Sequence, residues 1–264
     1  MLSLEKVANP RELGGIRVQD GRSVKGGRLL RTAHLADATD ADIRALQDLD
    51  VRIVIDLRTG YETGRQTDRR VPGAAYVEVS LISLNGHIYK GMADCFEDAS
   101  CFEEGMAKFV MSPASKMLCD GFYVSFVDDP DSQAALARFF KEVLSVGGGT
   151  VLWHCTQGKD RTGLAAAFLL FALGASRQTV VDEFALSNVS YASDVAEVKK
   201  AVAAMGGAEP EFDCVQTLVG VSVREFEAAL DWIDARFGGM QAYLRNQLAL
   251  TDENIETLKE YYLV

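Results

Sequence analysis

The sequence is poor in the residues that build covalent or metal scaffolds. It has 5 cysteines in 264 residues and no CxxC pair. So sparse and odd a set excludes a disulfide framework as the source of the fold. Cys95, Cys101, Cys119 and Cys214 are therefore expected as buried free thiols. The histidines, His34, His87 and His154, do not cluster with cysteines at zinc spacing, so neither a metal nor another cofactor is expected. There is no repeat, low-complexity tract or proline-rich linker. The opening "MLSLEKVANP" lacks a basic start followed by an apolar stretch. No secretory leader is read there, and a cytoplasmic location is the default. The longest apolar run, "LAAAFLLFAL" from Leu164, is about half of the roughly 20 residues that span a bilayer, so stable membrane insertion is not expected. Positive charge is scarce too: 27 Lys and Arg stand against 38 Asp and Glu, a net charge of -11. Such a chain repels nucleic acid and anionic lipid overall, and a polyanionic substrate needs a local cationic pocket.

What is present is enough to build a large core. Apolar residues make up 48% of the chain, and its length suits a single α/β domain over residues 1–264. "GRLLRTAHL" reads as a short strand. "TDADIRALQDLD" reads as a helix capped by Thr39 or Asp40, with Ile43, Leu46 and Leu49 on one face. "VRIVIDL" is β-branched and apolar, as a buried parallel strand is. "AAYVEVSL" and "TVLWH" read as further strands. "DSQAALARFFKEVLS" is an amphipathic helix. Residues 87–129 read as an insertion of short helices. Beyond Ser176, "RQTVVDEFALSNVSY", "DVAEVKKAVAAM", "VREFEAALDWIDARFGGM", "QAYLRNQL" and "DENIETLKEYYL" all keep a helical rhythm. The fold class expected is α/β, with a mainly parallel central sheet flanked by helices and a helical C-terminal half.

One stretch carries chemistry: "HCTQGKDRTG", from His154 to Gly163. Strand, tight loop and helix start together form an anion-binding arrangement. A nucleotide P-loop is disfavoured, because Asp160 stands where Ser or Thr is needed and Trp153 where the first glycine is needed. The spacing C-x5-R between Cys155 and Arg161 fits instead. It lets a loop wrap a tetrahedral oxyanion, with sulfur below and a guanidinium forked onto two oxygens. Inward amides, the helix start and Arg161 favour a thiolate at Cys155. That thiolate can attack phosphorus and form a cysteinyl-phosphate, while the amides and Arg161 stabilise the transition-state charge. Thr156, Gln157, Gly158 and Lys159 are the remaining loop positions that line the bound phosphate. Thr162 is expected to hydrogen-bond the sulfur, and His154 to organise the loop rather than act as a base.

This loop resembles that of the bacterial tyrosine phosphatases that read HCxAGKDRTG, with Gln157 in place of alanine. "NPRELGG", "GRLLRTA", "VIDLRTGYE" and "FALSN" are similar to further elements of that family, as is the C-terminal stretch from "FGGM" onward. The resemblance runs from about residue 9 to the end, weakest over 87–129. It implies a cysteine-phosphatase-type core and a metal-independent phosphomonoesterase acting on phosphotyrosine proteins. Phosphoserine, phosphothreonine and phosphoinositides come next in order. It also implies a helical lid near residues 190–217.

The general acid is left between three candidates. Asp56 ranks first, because it ends a parallel strand as Cys155 does, and strand carboxyl ends share one crevice. Asp160 ranks second and the group Asp128, Asp129 and Asp131 third. Arg58 either binds substrate phosphate or pairs with Glu62, and Arg31 is left with the same choice between phosphate and ion pair. Lys159 is either a second cation for a lipid or multiply phosphorylated substrate, or a solvated lysine on the rim. Three rival functions stand beside this reading: a phosphate-binding module with weak catalysis, a sulfurtransferase or arsenate reductase, and an inositol polyphosphate phosphatase. The scarcity of basic residues near the loop counts against the last of these.

Overall fold

The structure is a computed structural model in which residues 2–81, 95–96 and 99–264 are described. Its strands are β1 (Arg11–Glu12), β2 (Leu29–Thr32), β3 (Val51–Asp56), β4 (Ala75–Glu78) and β5 (Thr150–His154). Its helices begin with α1 (Asp40–Asp48), α2 (Gly60–Arg65), α3 (Phe102–Val110), α4 (Pro113–Cys119), α5 (Val124–Val127), α6 (Pro130–Ser145) and α7 (Asp160–Leu173). They continue with α8 (Arg177–Ala185), α9 (Ser187–Ser190), α10 (Ala192–Ala204), α11 (Glu209–Leu218), α12 (Val223–Phe237), α13 (Met240–Asn246) and α14 (Asp252–Tyr262).

The strands form one sheet in the order β1-β2-β5-β3-β4. β5 lies parallel between β2 and β3, β4 is parallel to β3, and only β1 runs antiparallel. The α/β class with a mainly parallel sheet and a helical C-terminal half is thus what the chain adopts. The central position of β5 follows from its composition: all five of its residues are buried. α1 starts where Thr39 accepts from the Asp42 amide and Asp42 returns the bond, a reciprocal cap. α7 is buried from Thr162 to Leu173, as an apolar helix without a polar face must be. It stops at Gly174, whose φ of 94° suits glycine.

The chain divides into two compact units. The first comprises residues 1–82, 130–184 and 233–264, and the second 83–129 and 185–232. The first holds the whole sheet. One of its cores packs Leu30, Val54 and Leu152 of the sheet against Ile43 and Leu46 of α1. The second unit is helical in its described residues, with Met106, Ala107 and Val110 of α3 packed on Val198 and Val202 of α10. The expected insertion over 87–129 falls partly on residues 82–94 and 97–98, which lie outside the described residues. The rest of it carries α3, α4 and α5. The single helical stretch read from Arg177 breaks at Leu186 into α8 and α9.

The cysteine reading needs a correction. Cys119 and Cys214 form a disulfide, their Cα atoms 5.7 Å apart, within the range that one bridge spans. The two lie on α4 and α11, and a separation of 95 positions in the sequence hides the pairing. Cys95, Cys101 and Cys155 take no part in a disulfide, and Cys101 is exposed and Cys95 half-buried rather than buried.

Candidate active site

Every residue named in this site except Asp128 belongs to the first unit. β5 ends at His154, the loop turns through Cys155 to Lys159, and α7 starts at Asp160. The helix start is pinned to the strand, since Trp153 Nε1 donates to the Thr162 carbonyl at 3.1 Å. The Cys155 side chain is buried, with the residue 3% exposed. Gly158 has φ of 65°, and a Cβ there would stand 2.3 Å from the Thr32 carbonyl oxygen. Left-handed backbone and this close approach to β2 both demand glycine.

The mouth of the loop is set by Glu62. Thr59 caps α2 and bonds Glu62 in a reciprocal cap, which fixes that carboxylate. Arg161 then grips it with two parallel bonds, Nη1 to Oε2 at 2.8 Å and Nη2 to Oε1 at 2.7 Å. Thr156 Oγ1 also donates to Glu62 Oε1, at 2.5 Å. Burial works to raise the Glu62 pKa, but Arg161 and the hydroxyl and amide donors outweigh it and bring it down to about 2.

Asp56 and Arg58 lie behind the sheet end and are nearly sealed, at 5% and 1% exposed. Arg58 donates to Asp56 through Nε at 3.0 Å and Nη2 at 2.7 Å, and its amide adds a third bond at 2.9 Å. Its Nη2 also lies 2.9 Å from Asp68 Oδ2. Arg58 therefore pairs with Asp56 and Asp68, and the expected partner Glu62 belongs to Arg161. His154 turns its ring the same way, with Nε2 3.0 Å from Asp68 Oδ2. Burial pushes the Asp68 carboxyl up, yet His154, Arg58 and the Leu35 amide hold it below its ordinary value. Asp56, Asp68 and His154 present ligand atoms within 4.8 Å of one another. The Arg58 guanidinium already supplies the positive charge that a metal ion would bring to these carboxylates.

The remaining loop residues fall as follows. Lys159 is 2% exposed, so it is not a rim lysine. Its ammonium donates to Asp160 Oδ2 at 2.7 Å. Asp160 is partly exposed, as is Gln157. Thr162 Oγ1 is buried with no hydrogen-bond partner, Cys155 included. Asp128 and Asp131 are exposed and flank the start of α6, where acidic residues stabilise a helix N-terminus.

Behind the loop lies a group of which the sequence reading weighs only Arg31, as a phosphate binder or an ion-pair partner. Asn9 Nδ2 donates to the Gly158 carbonyl at 2.8 Å. Arg31 Nη2 donates to the same oxygen at 3.0 Å and to the Lys159 carbonyl at 3.3 Å. Arg31 Nη1 forks onto Glu183 at 2.9 and 2.7 Å. Arg11 joins Asn9 Oδ1 to Glu183, at 2.8 and 3.1 Å. Asn9 and Arg31 sit inside the quoted "NPRELGG" and "GRLLRTA". Glu183 and Asp68 belong to no quoted motif; Glu183 stands near Val180, Val181 and Phe184, and Asp68 lies in the polar stretch "RQTDRR", which gives it no signal at all.

A thiol and a guanidinium with five residues between them thus stand at the carboxyl end of a central parallel strand and the start of a buried helix. The chain belongs to the tyrosine phosphatase family, whose model matches residues 2–264. It is 30% identical over 264 residues to a Cupriavidus necator protein named as a tyrosine-protein phosphatase, covering 99% of this chain and 88% of that one. It is 27% identical over 243 residues to the triple specificity protein phosphatase PtpB of Mycobacterium tuberculosis, covering 85% and 87% of the two chains. A tyrosine-protein phosphatase of Nostoc commune is 28% identical over 242 residues, covering 90% and 74%. No helix among the described residues is long and apolar enough to cross a membrane.

Proposed function

We propose that this chain hydrolyses phosphotyrosine in proteins through a cysteinyl-phosphate, without a metal. The observation that carries the reading is the joint placement of Cys155 and Arg161 on one anion-binding loop, with Arg161 aimed by Glu62. The phosphoryl group sits on the loop amides and Arg161. Cys155 sulfur attacks phosphorus, the S–P bond forms, and the bond to the tyrosyl oxygen breaks as an acid protonates that oxygen. Water then attacks phosphorus, the S–P bond breaks, and phosphate leaves with the thiolate restored. Asp160 is assigned as the acid in preference to Asp56. Asp56 is 5% exposed and accepts from Arg58 on both oxygens, whereas Asp160 is partly exposed on the loop itself. We extend the substrate range to phosphoserine, phosphothreonine and phosphoinositides. The buried Lys159 adds a second cation at the loop, and one relative is named for triple specificity.

Initial rates on aryl phosphate, phosphopeptides and phosphoinositides, with chelator present, test the reading. Cys155→Ser is expected to abolish turnover while retaining binding, and measurable hydrolysis by that pure variant would refute the nucleophile. Asp160→Asn is expected to lose about 10²-fold or more on poor leaving groups and far less on good ones. The same pattern from Asp56→Asn instead would reverse the assignment of the acid.

A further inference from the structure

We infer that Arg31 and Asn9 are positioning residues that set the polarity of the phosphate loop from behind, and that Glu183 and Arg11 hold them in place. The inference rests on the functional reading above and adds the device that keeps the cradle in its anion-binding form.

The argument starts from the planar trans peptide, in which the carbonyl of one residue and the N–H of the next point in opposite directions. Asn9 and Arg31 pull the Gly158 carbonyl backward, at 2.8 and 3.0 Å. The Lys159 N–H in that same peptide must then face forward. Arg31 also takes the Lys159 carbonyl at 3.3 Å, while the Gly163 amide donates to it at 2.8 Å as the first turn of α7. The Asp160 N–H is thereby turned toward the loop centre. An oxyanion cradle needs inward donors, and an inward carbonyl would repel the phosphoryl oxygens. Without the clamp, a loop with glycine at its turn is free to flip the peptide after Gly158.

The clamp itself is built to stay put. Arg31 is fully buried and Glu183 is 6% exposed. The planar guanidinium has enough arms to hold a carboxylate with one and two carbonyls with another, which an ammonium cannot match. Asn9 has φ of 52°, a left-handed backbone that asparagine and aspartate tolerate. Gly163 lets the Phe184 ring close on the helix start, since a Cβ there would stand 2.7 Å from it. This brings the end of α8, with Glu183, against the loop's rear.

The test measures inhibition of the whole chain by inorganic vanadate and phosphate, together with kcat and KM on a small aryl phosphate. Asn9→Asp keeps the shape and the backbone preference but turns the donor into an acceptor facing the Gly158 carbonyl. The double variant Arg31→Met with Glu183→Leu removes the fully buried guanidinium together with its carboxylate, leaving Arg11, which is 15% exposed and still donates to Asn9. Both are expected to weaken vanadate inhibition about 10-fold or more and to lower kcat about 10²-fold, the scale of one lost oxyanion donor. Their near-ultraviolet circular dichroism should match that of the parent. Arg31→Lys keeps charge toward Glu183 and should not restore the oxyanion affinity. Folded Asn9→Asp with unchanged vanadate inhibition and kcat would overturn the inference, and that variant decides it even if the double variant does not fold. A parent chain that vanadate does not inhibit would instead overturn the functional reading itself.

Discussion

Two arginine–glutamate pairs grip this site, and they differ in burial rather than in chemistry. At the mouth, Arg161 and Glu62 are 12% and 18% exposed. Behind the loop, Arg31 and Glu183 are 0% and 6% exposed. Water can take over from either partner at the mouth, so Arg161 can shift its bonds as a phosphoryl group arrives. The rear pair has no such substitute, because breaking it strands a charge in the interior. The loop thus has a fixed back and an adjustable front.

The largest expected effect separates the two pairs by stability. Glu183→Ala leaves the Arg31 guanidinium buried and unpaired and should cost about 3–5 kcal/mol in urea unfolding. Glu62→Ala at the mouth should cost about 1 kcal/mol. Equal losses would break the comparison. The second unit offers a different kind of anchor. Reducing Cys119–Cys214 should cost about 2–4 kcal/mol. A thiol titration of the denatured chain should count three free thiols before reduction and five after, following the pairing of two of the five cysteines. Five before reduction would remove the bridge from the account.

A smaller effect is read from pH. The Glu62 carboxyl is depressed from 4.5 to about 2 in the folded chain. Its contribution to stability is therefore full above its unfolded value and is lost as pH falls from about 4.5 through about 2. The urea midpoint of the parent should exceed that of Glu62→Gln at pH 6, and the gap should narrow by pH 3. A gap independent of pH would mean that Glu62 is not held ionised by Arg161.

Much of the architecture was legible because its signals are local. "VRIVIDL" and "TVLWH" are buried on both faces, so their composition alone marks them as central strands. The Cys155 to Arg161 spacing lies within one loop and needs no tertiary knowledge. The parts that escaped depend on residues far apart in the chain. Glu183 meets Arg31 across 152 positions, and Asn9 meets Gly158 across 149. Arg58 looked like a partner for Glu62 because the two are four residues apart. The strand end instead turns its guanidinium back onto Asp56 and Asp68. The Thr162 hydroxyl, expected on the sulfur, is buried without a partner, a vacancy of hydrogen bonding that helix spacing alone does not reveal.

The most direct measurement is mass spectrometry of a rapidly quenched reaction with an aryl phosphate, after digestion of the acid-trapped protein. The account predicts a single added phosphoryl group on the peptide that carries Cys155, present during turnover and absent from Cys155→Ser. Product accumulating with no phosphate on that sulfur at any time would contradict it.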